Sequence, residues 1–383
     1  MSSQPWLDGL WYYEGSPNVI NDVTGEDALW RNLAELDYPD YKSTQMKGVW
    51  THGKFQETMK EIEEITGAKN YDIEMKFFDG AVTLYGVLSE DGTSIVLYNM
   101  LNHLDTIRWM TPEKKQEVLD ARVHEDSLIP PGFTPQPENQ GKILFLSGPP
   151  GAGKSTTAQY LAKEMGWVYY EADCYGGVVD PFIPLEVDEP SLAQMKQKPI
   201  KGRTVEGLQS MDDGMPEFKK MIQGAPYDDE KIKPFYRHLA EDIVKHKQRL
   251  GGNFAVAQAV PKREMRDFMK EVFGPQGIFV TIRLSKETNA KRIEARHGGG
   301  DPEMIKNMTE WLNKMYDLYE DAQPGEENCI TVEVDPDDSR EDVMKKILQK
   351  VDELEVCACF QALSFDYTQN GLNELMWGKI RQC

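Results

Sequence analysis

The sequence predicts an α/β fold in which a parallel sheet is flanked by helices, preceded by a smaller β-rich domain. Three observations predict it. A glycine-rich loop stands between a strand-like and a helix-like segment within residues 143–165. After this loop, apolar strand-like runs alternate with helical patterns, as in parallel sheets. Before it, strand-like runs are separated by short turn signals, as in antiparallel sheets.

The amino-terminal region, residues 1–129, is predicted to be the β-rich domain. Asp79-Gly80 is a strong hairpin signal between two strand-like runs. Apolar residues at helical spacing over residues 55–65 predict one helix among the strands. The predicted strands are residues 72–78, 81–88, 94–100 and 106–110.

Five of the eight tryptophans lie in this region, and Gly9-Leu10-Trp11 resembles the G-x-W opening of lipocalin-type barrels. The resemblance implies that the strands close into a barrel. A closed barrel has no exposed edge and holds either packed side chains or a small ligand. The tryptophans favour a packed interior, because aromatic residues usually belong to cores. A ligand pocket is the alternative.

Residues 130–141 are predicted to form a linker, because four prolines within 130–137 favour a stiff, extended spacer. The α/β domain is predicted over residues 142–355, and residues 356–383 form an extension with no predicted structure. Residues 181–214 contain prolines and show little periodicity, which predicts a long functional or mobile loop.

Strand and helix patterns alternate through the α/β domain, and a ligand is expected beyond the carboxyl ends of its strands. The predicted strands are residues 143–146, 167–171, 254–258, 278–283 and 330–334. The predicted helices are residues 156–165, 234–250, 263–273, 286–296, 302–320 and 339–354.

The glycine-rich loop Gly148-Pro149-Pro150-Gly151-Ala152-Gly153-Lys154-Ser155 matches the phosphate-loop pattern G-x-x-x-x-G-K-[ST]. Its glycines let backbone N–H groups turn inward around an anion, and the helix that follows adds its positive end. Lys154 would reach the β- and γ-phosphates, and Ser155 would ligate Mg²⁺. We therefore expect ATP and Mg²⁺ as cofactors. The expected nucleotide contacts are Gly148, Gly151, Ala152, Gly153, Lys154, Ser155 and Thr156.

Acidic residues end the second strand of the α/β domain, at Glu171-Ala172-Asp173. A carboxylate there can hold an acceptor hydroxyl in line with the γ-phosphate and take its proton, so Asp173 is the candidate base. Glu171 and Asp173 are also candidate Mg²⁺ ligands, together with Ser155. A turn or helix-cap role is the alternative for Asp173.

The order of these motifs resembles the gluconokinase group of small P-loop kinases, which is close to the shikimate kinases. The resemblance covers about residues 142–352. Beyond the loop and the acidic pair, it rests on residues 220–230, 258–267 and 292–298, which follow in the family's order. It implies an ATP-dependent kinase that phosphorylates a hydroxyl group of a small molecule, such as a sugar acid or a polyol.

The resemblance also implies roles for four basic residues. Lys262 and Arg266 would face the acceptor and the transferring phosphoryl group. Arg292 and Arg296 would be lid arginines, which neutralise charge on that group and exclude water. A solvated surface is the alternative for all four. Adenine would lie against the loop that contains Asp335 and Pro336.

The chain departs from the family pattern where the family's sugar-acid pocket lies. Gly176-Gly177 stands in place of His-Pro, about forty residues are inserted between Asp173 and Lys220, and glycines at 298–300 replace the lid His-Phe. We therefore expect an acceptor other than gluconate. The alternatives are a nucleoside monophosphate kinase and a non-catalytic, nucleotide-dependent sensor of a ligand.

Composition excludes other classes of partner. The net charge of −21 and the pI of about 4.8 argue against general nucleic-acid binding, which needs a basic face. No apolar run is long enough to span a bilayer, and residues 1–6 lack the pattern of a signal peptide. The five cysteines have no metal-binding spacing, so reduced thiols in a cytoplasmic protein are expected.

Overall fold

The computed structural model describes residues 7–14, 16–32, 47–53, 60–77, 82–98, 104–120, 129, 133–135, 141–172, 177–182, 205–297 and 302–354. Within residues 7–120 the chain forms an antiparallel barrel, and within residues 141–354 it forms an α/β unit. The predicted boundaries between domains lie in or next to residues outside the described ranges, so they stay predictions.

The amino-terminal unit is a closed barrel of eight antiparallel strands in chain order. The first strand pairs with both the second and the eighth, which closes the ring. The predicted β-rich domain is therefore confirmed as a barrel. Its strands are β1 (Gly9–Tyr13), β2 (Ser16–Thr24), β3 (Asp27–Asn32), β4 (Lys47–His52), β5 (Ile73–Phe77), β6 (Val82–Leu88), β7 (Ser94–Tyr98) and β8 (Leu104–Trp109).

The first four strands and one helix of this unit were not predicted. Strand β2 reads SPNVINDVT, and its buried Asn21 lies directly opposite Trp11 and Trp30, so polar and apolar residues share the inner face. Helix α2 (Pro112–Asp120) buries none of its residues and therefore has no apolar stripe to detect. Helix α1 (Lys60–Thr66) covers the end of the predicted helix. The predicted Asp79-Gly80 turn lies outside the described residues.

A cluster of buried apolar side chains lies inside the barrel. The Trp11 indole nitrogen donates a hydrogen bond to the carbonyl of Leu7 at 2.9 Å, and the Trp11 and Trp50 rings are 6.1 Å apart. Ile73, Met75 and seven further buried residues complete the cluster. Side chains of the described residues therefore pack the interior of the barrel. Ligand binding there stays a prediction.

The α/β unit contains a six-stranded sheet whose order is β11-β10-β12-β9-β13-β14. Five strands are parallel, as predicted, and the short edge strand β11 is antiparallel to β10. β11 has only two residues, too few for a strand pattern. The strands are β9 (Ile143–Ser147), β10 (Val168–Glu171), β11 (Gly177–Val178), β12 (Phe254–Ala257), β13 (Gly277–Arg283) and β14 (Cys329–Glu333).

Helices cover both faces of this sheet, and two clusters of buried side chains, one on each face, form its core. Every described helix is too short or too polar to cross a bilayer. The helices are α3 (Lys154–Met165), α4 (Val205–Ile222), α5 (Asp229–Leu250), α6 (Arg263–Phe273), α7 (Lys286–His297), α8 (Pro302–Leu318) and α9 (residues 340–354).

The predicted loop over residues 181–214 is wrong at its end, because residues 205–214 belong to helix α4. The buried residues of α4 recur at helical spacing but are mostly small or polar: Gly207, Ser210, Gly214, Glu217 and Met221. A Cβ atom at Gly214 would lie 3.1 Å from the Lys231 carbonyl oxygen, so glycine allows α5 to approach closely. A search for apolar periodicity misses such a stripe.

Candidate functional site

The phosphate loop joins β9 to α3 and has the backbone geometry that its glycines allow. Gly148, Gly151 and Gly153 have φ angles of 148°, 83° and 92°, which residues with a side chain rarely adopt. A Cβ atom at Gly148 would also lie 2.5 Å from the Ile282 carbonyl oxygen. No side chain caps the start of α3, so its first N–H groups face the loop without a capping oxygen.

Lys154 is the first residue of α3 and folds over the loop. Its ammonium group donates hydrogen bonds to the carbonyls of Gly148 at 3.0 Å and Pro149 at 3.3 Å. Ser155 and Thr156 follow in the first helical turn and are partly exposed. The predicted nucleotide contacts Gly148 to Thr156 therefore lie together in one loop and one helix start.

The base of the loop is tied to the neighbouring strand. The Ser147 hydroxyl donates to the Val260 carbonyl at 3.0 Å and accepts from the Val260 N–H at 3.0 Å. Because Val260 follows β12 and precedes Lys262, this exchange holds the start of the loop beside the segment that leads to Lys262.

Glu171 ends β10 and is fully buried, and its carboxylate accepts a 2.6 Å hydrogen bond from the Tyr169 hydroxyl. Asp173, the candidate base, lies outside the described residues. Its neighbour Ala172 is fixed, because the Gln258 amide donates to the Ala172 carbonyl at 3.2 Å. No group of three or more His, Cys, Asp or Glu side chains suited to a metal occurs among the described residues.

Lys262 and Arg266 are found in ion pairs at the start of α6. The Lys262 ammonium lies 3.2 Å from Glu320, which also accepts a hydrogen bond from the Arg263 N–H at 2.9 Å. Arg266 is 1% exposed and makes a two-point contact with Glu326, at 2.8 and 3.0 Å. This arrangement shows a structural role for Arg266, whose guanidinium faces Glu326. The contact of Arg266 with the acceptor stays a prediction.

Glu326 lies at the centre of this buried charge cluster. Burial alone would raise the pKa of its carboxyl group, but hydrogen bonds from Arg266, Cys329 and the Gln323 N–H outweigh burial and lower the pKa to about 2. Burial raises the pKa of the Cys329 thiol to about 12, so this thiol stays protonated at neutral pH.

A cavity of about 330 Å³ lies between α7 and the loop that follows β14. Its volume falls within the range of small-molecule sites, roughly 300–1,000 Å³. Arg292 lines it and has no carboxylate partner among the residues that the structure describes. Pro336 also lines it. The side chains that complete the lining are Ser285, Glu287, Thr288, Lys291 and Ala295.

The structure therefore places Arg292, predicted as a lid arginine, and Pro336, predicted to lie against adenine, around one cavity. Asp335 is next to Pro336, but its carboxylate pairs with Lys346 at 2.7 Å and does not line the cavity. Arg296 lies in α7. Its side chain and the glycines at residues 298–300 are outside the described part of the chain.

A family model described as the Rad17 P-loop domain matches residues 133–177, the span that contains the phosphate loop. A protein from Xenopus tropicalis described as a probable gluconokinase is 24% identical over 209 residues. The aligned part covers 51% of this chain and 86% of that protein. The α/β unit is a P-loop fold similar to that of gluconokinases.

Two solved structures are also similar to part of this chain. A gluconokinase from Sinorhizobium meliloti 1021 is 21% identical, with a TM-score of 0.35, covering 58% of this chain and 98% of its own. Shikimate kinase from Aquifex aeolicus vf5 is 15% identical, with a TM-score of 0.28, covering 56% of this chain and 98% of its own.

Several residues around the phosphate loop and the cavity were not predicted from the sequence. Lys346 holds the loop of Pro336, Glu320 engages Lys262, and Asn289 packs behind the phosphate loop. Lys346 is one of several lysines in an amphipathic helix. Glu320 and Asn289 contact Lys262 and the phosphate loop, which are distant from them in sequence. No local motif marks them. Gln258, whose amide binds the Ala172 carbonyl, differs from these three residues, because it lies in the segment 258–267 that resembles the gluconokinase pattern.

Proposed function

We propose that this protein transfers the γ-phosphoryl group of ATP to a hydroxyl group of a small molecule. The observation that carries the proposal is the phosphate loop, with three glycines at positive φ and Lys154 folded over it at the uncapped start of α3. This cradle suits a triphosphate, because N–H groups, the positive helix end and one ammonium converge on it.

The cavity at Arg292 and Pro336 suits the nucleoside end of ATP. It offers a flat apolar wall from Pro336 and hydroxyl groups from Ser285 and Thr288. Arg292 can stack on a base or bind a phosphate, because a guanidinium group does both. Both contact sets that a nucleotide needs are thus present: a cradle for phosphates and a small cavity for the base.

Mg²⁺ fits this chemistry, since it prefers oxygen ligands and usually takes only one or two from the protein, with phosphates and water supplying the rest. The Ser155 hydroxyl would hold it, with Glu171 or Asp173 as acidic partners. When bound, Mg²⁺ neutralises charge on the phosphates.

The chain's own groups would perform the remaining steps. Asp173 would orient the acceptor hydroxyl and take its proton, and Lys154 and Arg292 would stabilise charge on the transferring group. Lys262, partly exposed beside Glu320, would bind the acceptor. The resemblance to gluconokinases favours a sugar acid, a polyol or a similar hydroxyl compound as the acceptor. The departures from the family pattern around the acceptor pocket favour a compound other than gluconate.

ADP release tests this function. The full chain would be incubated with Mg·ATP and a panel of sugar acids, polyols, nucleosides and nucleoside monophosphates. We expect one class of hydroxyl compound to raise ADP release well above the rate with water alone. A nucleoside monophosphate as the best acceptor would make the protein a nucleotide kinase instead. Tight ATP binding without transfer to any acceptor would support a nucleotide-dependent sensor.

A further inference from the structure

Asn289 is a buried polar residue in the second turn of α7. It is 2% exposed, and its side-chain oxygen Oδ1 accepts no hydrogen bond from any residue that the structure describes. Its backbone is part of the regular helix, since its N–H donates to the Ser285 carbonyl at 2.9 Å. The unsatisfied atom is therefore confined to the side chain.

This oxygen lies directly behind the phosphate loop. A Cβ atom built on Gly151 would be 3.0 Å from Asn289 Oδ1 and 3.4 Å from Ile293 Cγ1. Helix α7 therefore rests on the loop through Asn289 and, one turn later, through Ile293. Arg292 belongs to the same helix and lines the cavity. One rigid element thus contacts both the loop and the proposed nucleoside site.

An apolar side chain would pack better than asparagine at this position. A buried carbonyl oxygen without a donor destabilises the fold, whereas a leucine of similar size has no such cost. Ile293 shows that an apolar residue can pack against Gly151 on the same helix. A buried polar group that lacks a partner calls for an explanation, and a second arrangement of the loop supplies one.

We propose that Asn289 is a positioning residue that joins α7 to the phosphate loop when the loop holds a nucleotide. In that arrangement a backbone N–H of residues 151–153 donates to Asn289 Oδ1. The Ala152 N–H now donates within the loop, to the Pro149 carbonyl at 3.1 Å, and a bound phosphate would redistribute such bonds. This inference rests on the proposed function, because it needs a triphosphate in the loop.

The consequence is a coupling between the two halves of the nucleotide site. A phosphate in the loop would fix α7, and α7 would then hold Arg292 against the nucleotide. Asn289 itself touches neither the nucleotide nor the acceptor, so it acts through the loop and the helix.

The variant Asn289→Leu tests the proposal through two measurements, since it should be more stable than the wild type without nucleotide but bind Mg·ATP more weakly. Without nucleotide, its melting temperature should rise by about 2–4 °C, because an unsatisfied oxygen is removed. Its Kd for Mg·ATP, measured by calorimetry, should rise about fivefold to tenfold, because one hydrogen bond of the bound arrangement is lost. Mg·ATP should slow amide hydrogen exchange in residues 286–297 of the wild type but not of the variant.

Ile293→Val is the matched control, because it removes one methyl group behind the same glycine. Its melting temperature should fall while its Kd for Mg·ATP stays within about twofold of wild type. If Asn289→Leu lowers both stability and affinity, Asn289 has only a packing role and the inference is wrong. If the wild type binds Mg·ATP and Asn289→Leu binds it equally well, the inference alone fails. If the wild type binds no Mg·ATP, the proposed function fails first, and the inference falls with it.

Discussion

The ammonium nitrogen of Lys346 lies 2.7 Å from a carboxylate oxygen of Asp335, at the carboxyl end of β14. It also lies 2.6 Å from Asp338, which closes the same loop by accepting a hydrogen bond from the Asp335 N–H. The hydrogen bond from Lys346 lowers the pKa of Asp338. Lys346 therefore holds the loop of Pro336 to helix α9 and shapes one wall of the proposed nucleoside site.

Replacing Lys346 with methionine should loosen this wall. We expect the KM for ATP to rise about threefold to tenfold, with a melting temperature close to that of wild type, because partly exposed ion pairs stabilise by roughly 1 kcal/mol or less. Steady-state kinetics with ATP and a melting curve measure both effects. Lys345→Met, one residue away in an exposed pair with Glu341, is the control and should leave the KM unchanged. An unchanged KM in both variants would remove Lys346 from the site.

Lys154→Ala should abolish phosphoryl transfer and leave the fold intact. Lys154 is partly exposed at the start of α3, so its loss should cost little stability, whereas charge on the phosphates loses a principal partner. We expect kcat to fall at least about hundredfold. ADP release measures it, and circular dichroism checks the fold. Lys163→Ala, in the last turn of α3, is the control. Transfer at wild-type rate in Lys154→Ala would contradict the proposed role.

Asp173→Asn should lose transfer while keeping ATP binding. The amide retains the shape of the carboxylate but cannot take a proton from the acceptor. We expect kcat to fall about hundredfold to ten-thousandfold, with a Kd for ATP within a few-fold of wild type. Calorimetry and ADP release separate the two effects. Unchanged turnover would show that another group serves as the base.

Arg266→Met should destabilise the α/β unit strongly. It would leave the Glu326 carboxylate buried with only Lys270, at 3.4 Å, as a charged partner. Breaking a buried pair in this way costs about 3–5 kcal/mol of unfolding free energy, which denaturant titration measures. The double variant Arg266→Met/Glu326→Leu should recover most of the loss. If the single variant is as stable as wild type, the pair contributes nothing to the fold.

The same pair predicts the response to acid. The carboxyl group of Glu326 has a pKa of about 2 in the folded chain, below the usual 4.5. Its stabilisation is therefore present above about pH 4.5 and is lost as the pH falls toward 2. The wild type should lose more stability over this window than the double variant does.

Lys247→Met should stabilise the protein at neutral pH. Burial lowers the pKa of the Lys247 ammonium group from 10.5 to about 8, and this group donates a hydrogen bond to the Gly252 carbonyl at 2.6 Å. Below pH 8 the buried charge carries its full cost. Between pH 8 and 10.5 the unfolded chain binds more protons, so the stability of the wild type rises with pH. We expect a gain of about 1–2 kcal/mol at pH 7 that shrinks by pH 10. Lys245→Met, exposed on the same helix, should show no such dependence.

The sequence predicted those parts of the fold that follow from local patterns. The phosphate loop needs its glycines at fixed positions, and the buried parallel strands need continuous apolar runs, so both were recognisable at residues 143–155 and 254–257. Helix α4 was missed because, among its described side chains, the buried stripe contains glycine, serine and glutamate and only one large apolar residue, Met221. The first barrel strands were missed because Asn21 shares an inner face with Trp11 and Trp30.

The site was predictable only where one short segment carries the chemistry. Lys154 and Ser155 stand within a motif, and Arg292 and Pro336 were placed by resemblance. The partners that decide what a residue does were not predictable, because they are distant in sequence. Glu326 is 60 residues from Arg266, and its ion pair with that arginine could not be read from either local segment. Asn289 and Gly151 are likewise brought together only by the fold.

The pairing of Trp11 and Tyr13 with Trp109 and Ile107 closes the barrel with its own first and last strands. Every strand that the ring requires has therefore been synthesised before the ribosome reaches β9. Domains nearer the amino terminus generally fold first during translation. The nascent phosphate loop would then emerge after a finished ring, in which no unpaired strand is left to capture the apolar run of β9.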